Sequence, residues 1–300
     1  MKKILLIVLL ILPSFSFCQS EEWLTSLDAA KGLALVQDKM VLMIWEDSFY
    51  EPLPVVVKDK NGKRVFVENL FESQILINLL KDYFILVMVN EVEYEELYKP
   101  VKNNQSTVYI NKFNDDSLKV MDANGYILNT NHTYYKEFLN LTEFIAKYAN
   151  STAFLKNELI NYKTQQNFVT SFRLASQYID LAIFTIKPAR EEVISLSNIY
   201  LKNAEDFLLV ENPDNKMAMI EKINLLKIKQ ELVLDNPKKV LRQLKRMDSE
   251  STDEINEPLI AFLKLTAYLL LKDEISAAPW RSKVSLLNLK KSNQIISNTN

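Results

Sequence analysis

Cysteine and histidine each occur once in the 300 residues, at Cys18 and His132, and glycine only three times. These scarcities exclude whole classes of chemistry. Gly32, Gly62 and Gly125 stand too far apart for a G-x-G-x-x-G turn or a Walker A loop, both of which need clustered glycines to bring backbone N–H groups against phosphate. One histidine cannot supply the clustered imidazole ligands of a zinc site, and no G-x-S-x-G elbow accompanies it for a Ser-His-Asp arrangement. His132, in the polar run from Asn129 to Tyr135, reads as an exposed loop residue. With a single cysteine, structural disulfides, Fe–S ligation and dithiol exchange by the chain's own residues are excluded. No metal and no cofactor is expected.

Charge of either sign is also not in excess: 36 Lys and Arg oppose 38 Asp and Glu, a formal charge of −2. No basic stripe exists to release counterions from a phosphate backbone, so no nucleic acid is expected as a partner. What the chain has is apolar residues, 48% of the total, enough to fill the cores of about two domains at roughly 100–200 residues each.

The first twenty residues differ from the rest. Lys2 and Lys3 precede an apolar run from Ile4 to Leu12, then Pro13 and small or polar residues. That order is the order of a secretory signal, and the run falls short of the ~20 residues that span a bilayer. Cleavage after Cys18 leaves Gln19 at the new terminus and, by removing Lys2 and Lys3, takes the charge from −2 to −4. A lipid anchor on Cys18 is the competing reading, against which Phe17 stands where a small residue is needed. The expectation is a leader over residues 1–18 and an exported protein, periplasmic or secreted, with no membrane span once the leader is gone. The matches to N-x-S/T at Asn104, Asn131, Asn140 and Asn150 are read as chance.

After the leader, Ser26 is placed to cap a helix carrying Leu27, Ala30, Leu33 and Ala34 at helical spacing. Met40 to Trp45 is an unbroken apolar run, too short for a helix, which predicts a strand buried on both faces. Val55–Val57 and Val65–Val67 flank Asn61-Gly62, a turn pair suited to a β-hairpin. Phe71, Ile75 and Leu79, with Leu76 and Leu80, predict a second helix and Tyr83 to Val89 a second buried strand, so the order is that of a βαβ unit. Glu91 to Glu96 reads as the acidic start of a helix. Thr107 to Phe113 reads as an extra or lengthened strand. Leu118–Met121 and Tyr126–Leu128 around Asn124-Gly125 predict an antiparallel pair, and Tyr135 to Tyr148 a covering helix.

From Glu22 to Asn150 this order resembles the exported bacterial thioredoxin-like family. Trp23, Ala30, Lys39, the two buried strands and Asp122-Ala123-Asn124-Gly125 fall where family members place a leading Trp, an Ala, a Lys, two strands and a D-x-x-G turn. The functional motifs do not match. Where the family carries its cysteine pair after the first strand, this chain has Glu46-Asp47-Ser48-Phe49-Tyr50-Glu51-Pro52-Leu53-Pro54, with three acids that would raise a thiol's pKa. Where the family has a cis-proline, counting back from Asp122 gives Asp116-Ser117, or in another register Ser106-Thr107. The resemblance implies a redox-inactive thioredoxin-like domain over residues 22–150, keeping a groove for extended peptide lined by Trp45, Glu46, Asp47, Phe49, Tyr50, Glu51, Asp116 and Ser117. Read alone, Glu46, Asp47 and Glu51 lack the glycine bend of a Ca²⁺ loop and read as a solvated loop.

Residues 151–291 are helical in period almost throughout. Helices are expected near 152–164, 168–186, 189–210, 215–234, 237–247, 255–271 and 275–290, punctuated by Pro188, Pro213, Pro237 and Pro258 at first-turn positions where a missing N–H costs nothing. Phe172, Tyr178, Phe184, Tyr200, Phe207, Phe262 and Tyr268 are the expected core aromatics. The result is a helical-hairpin domain, only weakly similar to tetratricopeptide repeats since no ~34-residue self-similarity is found. Residues 292–300 are polar and expected to fray. The overall expectation is an α/β thioredoxin-like domain followed by an all-α domain, acting as a binding or scaffolding protein with an envelope protein or extended peptide as partner. The alternatives are a thiol–disulfide family member working through a partner's thiols and a cysteine-independent enzyme.

Overall fold

The computed structural model describes residues 23–131, 138–211, 213–247 and 254–298; the leader, Cys18 and His132 lie outside them. The chain opens with α1 (Leu27–Gln37), whose first turn is closed by the Ser26 hydroxyl accepting from Ala29 N at 3.3 Å. Strand β1 (Met40–Trp45) follows, and all six of its residues are buried. An unbroken apolar run is what a strand covered on both faces requires, so this element is legible directly from composition.

A one-turn helix α2 (Glu46–Phe49) leads to the hairpin of β2 (Val55–Lys58) and β3 (Arg64–Val67), then α3 (Gln74–Tyr83) and β4 (Phe84–Val89). β4 runs parallel to β1, with Met40 opposite Phe84 and Trp45 opposite Val89. Strand β5 (Lys119–Met121) pairs antiparallel on the other side of β1, with Val41 opposite Met121. Single bridges extend this sheet at both edges, Leu24 beside Val87 in parallel and Ile127 beside Met121 antiparallel. The second sheet is β3-β2-β6, where β6 (Leu139–Asn140) runs parallel to β2.

Three expectations fail here for local reasons. Residues 107–113 form no strand. They belong to helix α5 (Thr107–Asn114), which follows α4 (Tyr94–Lys102), is capped by Ser106, and buries Tyr109, Lys112 and Phe113 at helical spacing. The β-branched and aromatic content that suggests a strand is a weaker force than a capped helix with one buried face. Phe138 and Leu139 are not helical: α6 (Leu141–Tyr148) starts after Asn140, whose side chain accepts from Glu143 N at 3.2 Å, and the expected start at Tyr135 falls outside the described residues. Phe184 is 60% exposed, at the end of its helix rather than in the core.

The helical region comprises α7 (Lys156–Thr164), α8 (Phe168–Phe184), α9 (Lys187–Glu211), α10 (Lys216–Val233), α11 (Pro237–Met247), α12 (Glu257–Leu270), α13 (Glu274–Arg281) and α14 (Leu286–Ser297). The helix expected over 275–290 is two, because Ser285 caps a new one through Asn288 N. The tail does not fray at Ser292. Ser292 and Ile295 are buried, and Asn298 Nδ2 donates to Ile183 O at 2.6 Å. Tyr178, Tyr200 and Phe262 are fully buried as expected. One apolar core runs from Trp23 to Ile295, so the α/β part and the helices share an interior. Among the described residues, no helix is long and apolar enough to cross a membrane.

Candidate functional site

The loop after β1 gathers where sequence placed it, at the carboxyl end of the central strand. Trp45 is buried, and its Nε1 donates to Phe113 O at 3.0 Å. The Glu46 carboxylate accepts from Asn90 Nδ2, and Asp47 N donates to Glu91 Oε1 at 3.0 Å. Ser48 Oγ donates to Asp116 Oδ1 at 3.2 Å, which joins this loop to the Asp116-Ser117 segment. Phe49 packs inward between Phe71 and Trp23, with ring centroids 4.7 and 5.5 Å away. Tyr50 and Glu51 are exposed. These polar groups hold the loop to its neighbours, and none of the eight residues expected to form a groove lines the cavity described below. Among the described residues, no cluster of His, Cys, Asp and Glu is arranged to hold a metal.

Beside this loop lies a lysine pair that sequence did not single out. Ser117 Oγ accepts from Lys112 Nζ and donates to Asp115 Oδ1 at 2.7 Å, and Lys119 Nζ donates to Ser117 O at 3.0 Å. Burial pushes both ammonium groups down, Lys119 to about 8. Burial would raise Asp115, yet the two lysines outweigh it and its carboxyl lies below the usual range. These side chains tie off the carbonyl end of α5 and the turn before β5. Because the folded value of Lys119 is below the 10.5 of a free lysine, the unfolded chain holds more protons between about pH 8 and 10.5, and this group's contribution to stability rises with pH through that window. Lysine side-chain NMR is expected to show one amine titrating near 8; a Lys119 signal that titrates with the bulk of the lysines would contradict the burial argument.

The cavity is elsewhere. About 770 Å³ opens between α1, the α4–α5 connection, α5, the turn after β5 and α9. That volume is in the range of small-molecule sites. Its floor is the turn Asp122 to Tyr126, and the turn is built by one carboxylate. Asp122 Oδ1 accepts from Asn124 N at 2.9 Å and Tyr126 N at 3.0 Å, while Gly125 takes a φ of +89° that only glycine adopts without strain. The other oxygen, Oδ2, accepts from Tyr178 of α8 at 2.8 Å and from Tyr200 of α9. Asp122 is completely buried, and burial raises its pKa against the lowering effect of these four donors. Tyr178 and Tyr200 lie stacked at 5.5 Å, and burial holds both phenols well above their ordinary value, protonated and donating.

The polar network extends from the turn into the cavity wall. Asn124 Nδ2 donates to Tyr200 Oη at 3.1 Å, and Asn203 Nδ2 donates to Tyr162 Oη at 2.8 Å and Tyr126 Oη at 3.3 Å. At the other end of the cavity, Glu192 of α9 is fully buried and accepts from Tyr148 Oη at 3.0 Å and Asn131 N at 3.2 Å, with Lys147 Nζ at 2.6 Å. Burial raises Glu192's pKa against these partners. Helix α9 is therefore fastened to the α/β part at Glu192 and Tyr200, two turns apart, with the cavity along its side. Sequence reasoning named Asp122 as a turn and Tyr178 and Tyr200 as core, but missed that they bond to one another; the signal was a pair of tyrosines needing buried partners for their hydroxyls.

The lining is chemically neutral. Lys31 pairs with Asp28 at 2.7 Å, and Lys202 with Asp206 at 2.8 Å. Among the described residues, Asp206 is the only carboxylate lining the cavity. Beyond these charges, the described residues present carboxamide, hydroxyl and apolar surface to the space. Comparison of the chain with protein-family models, curated proteins and solved structures found no match.

Proposed function

We propose that the chain is a non-redox binding protein of the bacterial cell envelope: a thioredoxin-like domain without dithiol chemistry, whose helical half completes a ligand cavity. The observation that carries this reading is the cavity itself, with its floor on the Asp122 turn and its side wall supplied by α9. Support for the thioredoxin-like element comes from β1 and β4 in parallel, β5 antiparallel beside β1, and β5 running into the Asp122-Ala123-Asn124-Gly125 turn. Export rests on the leader-like first eighteen residues. The ligand seat in this reading is the cavity rather than the acidic loop, where the Glu46 carboxylate, Asp47 N and the Ser48 hydroxyl are bonded to neighbours.

Ser195 lies exposed on α9 and lines the cavity, so Ser195→Trp puts a bulky ring into the space beside Asn198 without touching the core. In a fragment screen followed by NMR, hits on the native chain are expected to shift the amides of residues 124–126 and 195–203 and to vanish in Ser195→Trp at unchanged melting temperature. Hits that persist in the variant, or that map to residues 45–51, would sink the assignment of the site. In an insulin-reduction assay with dithiothreitol, the rate is expected to equal that of the reductant alone.

A further inference from the structure

Resting on the binding reading above, we infer that the cavity takes an uncharged, extended peptide segment, held through its backbone by carboxamide side chains and through an apolar side chain against the apolar part of the wall. Six carboxamides line the space, and the bonds of five of them show which ends are left. Asn203 and Asn124 commit their N–H groups to tyrosine hydroxyls, and Asn104 commits its own to Pro100 O at 3.0 Å, so these three have carbonyl oxygens without a partner among the described residues. Asn198 is the reverse: its Oδ1 accepts from Gln230 Nε2 at 2.7 Å, which leaves its N–H₂ free. Gln105 lines the cavity with no side-chain bond among the described residues, and so offers both. The wall therefore presents acceptors and donors together, the complement of alternating backbone N–H and C=O groups.

Charge argues for neutrality. Both lysines at the cavity are already paired, so a phosphate, a carboxylate or an ammonium entering it would give up water without gaining an unpaired opposite charge. Much of the remaining wall is apolar, with Leu97 and Ile199 half-buried and Pro100 and Val108 exposed along it, so an apolar side chain has surface to cover. The aromatic rings here do not offer an open platform for a sugar ring. Tyr109 and Phe113 are buried, Tyr109 Oη accepts from Ile127 N at 3.0 Å, and Tyr126 stands edge-on to Tyr200 at 84°. Peptide is favoured over oligosaccharide on that ground.

The test uses the full chain and three probe sets: hexapeptides of Ala, Val, Leu, Ser and Gln capped by acetyl and amide groups, the same peptides with two Asp or two Lys, and maltohexaose with chitohexaose. Affinity is read by titration NMR on the native chain, on Ser195→Trp and on Gln105→Leu. The capped neutral peptides are expected to bind, to weaken at least tenfold when two charges are added, to weaken severalfold in Gln105→Leu, and to be lost in Ser195→Trp. Charged peptides binding as tightly as neutral ones, or sugars binding alone with sensitivity to Ser195→Trp, would overturn the peptide inference while leaving the cavity as a binding site. If fragments and all three probe sets fail at this cavity, the binding reading itself is overturned along with it.

Discussion

Replacing Asp122 by Ala is expected to cost several kcal/mol of stability, at about 1–3 kcal/mol for each buried donor left unsatisfied. The reason is the number of groups that depend on it. Two backbone N–H groups and two tyrosine hydroxyls donate to its oxygens, and all four are left without an acceptor in a site with no exposure. Asp122→Asn is expected to cost distinctly less. Its carbonyl oxygen still serves Asn124 N and Tyr126 N, and a tyrosine hydroxyl, unlike an N–H, can turn to accept from the new amide. The two variants also separate in their pH dependence. Burial raises the folded-state pKa of Asp122 above 3.8, so the native chain holds the extra proton and the group's stabilising contribution is present below pH 3.8 and lost as pH rises through the folded value. Denaturant unfolding of native and Asp122→Asn chains at several pH values is expected to show the native chain's advantage shrinking as pH rises from 4 towards 7. An advantage that grows over that range would mean the carboxylate's four donors outweigh its burial. Because the same turn floors the cavity, ligand affinity is expected to fall with stability in Asp122→Ala.

How much of this was legible in advance depends on the range over which each residue acts. Met40 to Trp45 declares a doubly covered strand by composition alone, and Ser26 declares a helix start by its position before an apolar stripe. Residues 107–114 misled because Thr107, Val108 and Ile110 are β-branched, and only the burial of Tyr109 and Phe113 against the rest of the protein makes one helical face more favourable than a strand. The site is harder still. Asp122 sits in a readable turn, yet the phenols that satisfy it lie 56 and 78 residues further on, a pairing no local pattern encodes. The wall supplied by α9 is polar and partly exposed, so Ser195, Asn198 and Lys202 read as an ordinary solvent face until the fold sets α5 and the Asp122 turn opposite them. The acidic loop drew attention through its place in a family pattern; in the structure the Glu46 carboxylate holds Asn90 and the Ser48 hydroxyl reaches Asp116.

The C-terminal segment shows the same dependence on distant partners, and Asp180→Asn is expected to expose it. Asp180 of α8 is nearly buried and takes Lys229 of α10 at 2.6 Å on one oxygen and Lys291 of α14 at 2.8 Å on the other. One carboxylate thereby holds three helices. A run as polar as residues 291–297 would not stay on the protein through apolar burial alone, since Ile295 is its one buried large hydrophobic residue. Asp180→Asn leaves the Lys229 ammonium inside without a counter-charge, and the expected loss is about 3–5 kcal/mol near neutral pH. Burial already holds Lys229 below its ordinary pKa, so unfolding takes up a proton, and removing the carboxylate widens that gap. The variant's stability is therefore expected to rise with pH more steeply than that of the native chain, as deprotonation of Lys229 relieves the unpaired charge. Hydrogen exchange provides the local readout. Amides of α14 are expected to lose protection first and by the largest factor, while those of β1 and β4 retain theirs until global unfolding. Uniform loss of protection across the chain, or an α14 as protected as before, would show that the helix is held by something other than the Asp180 pairing.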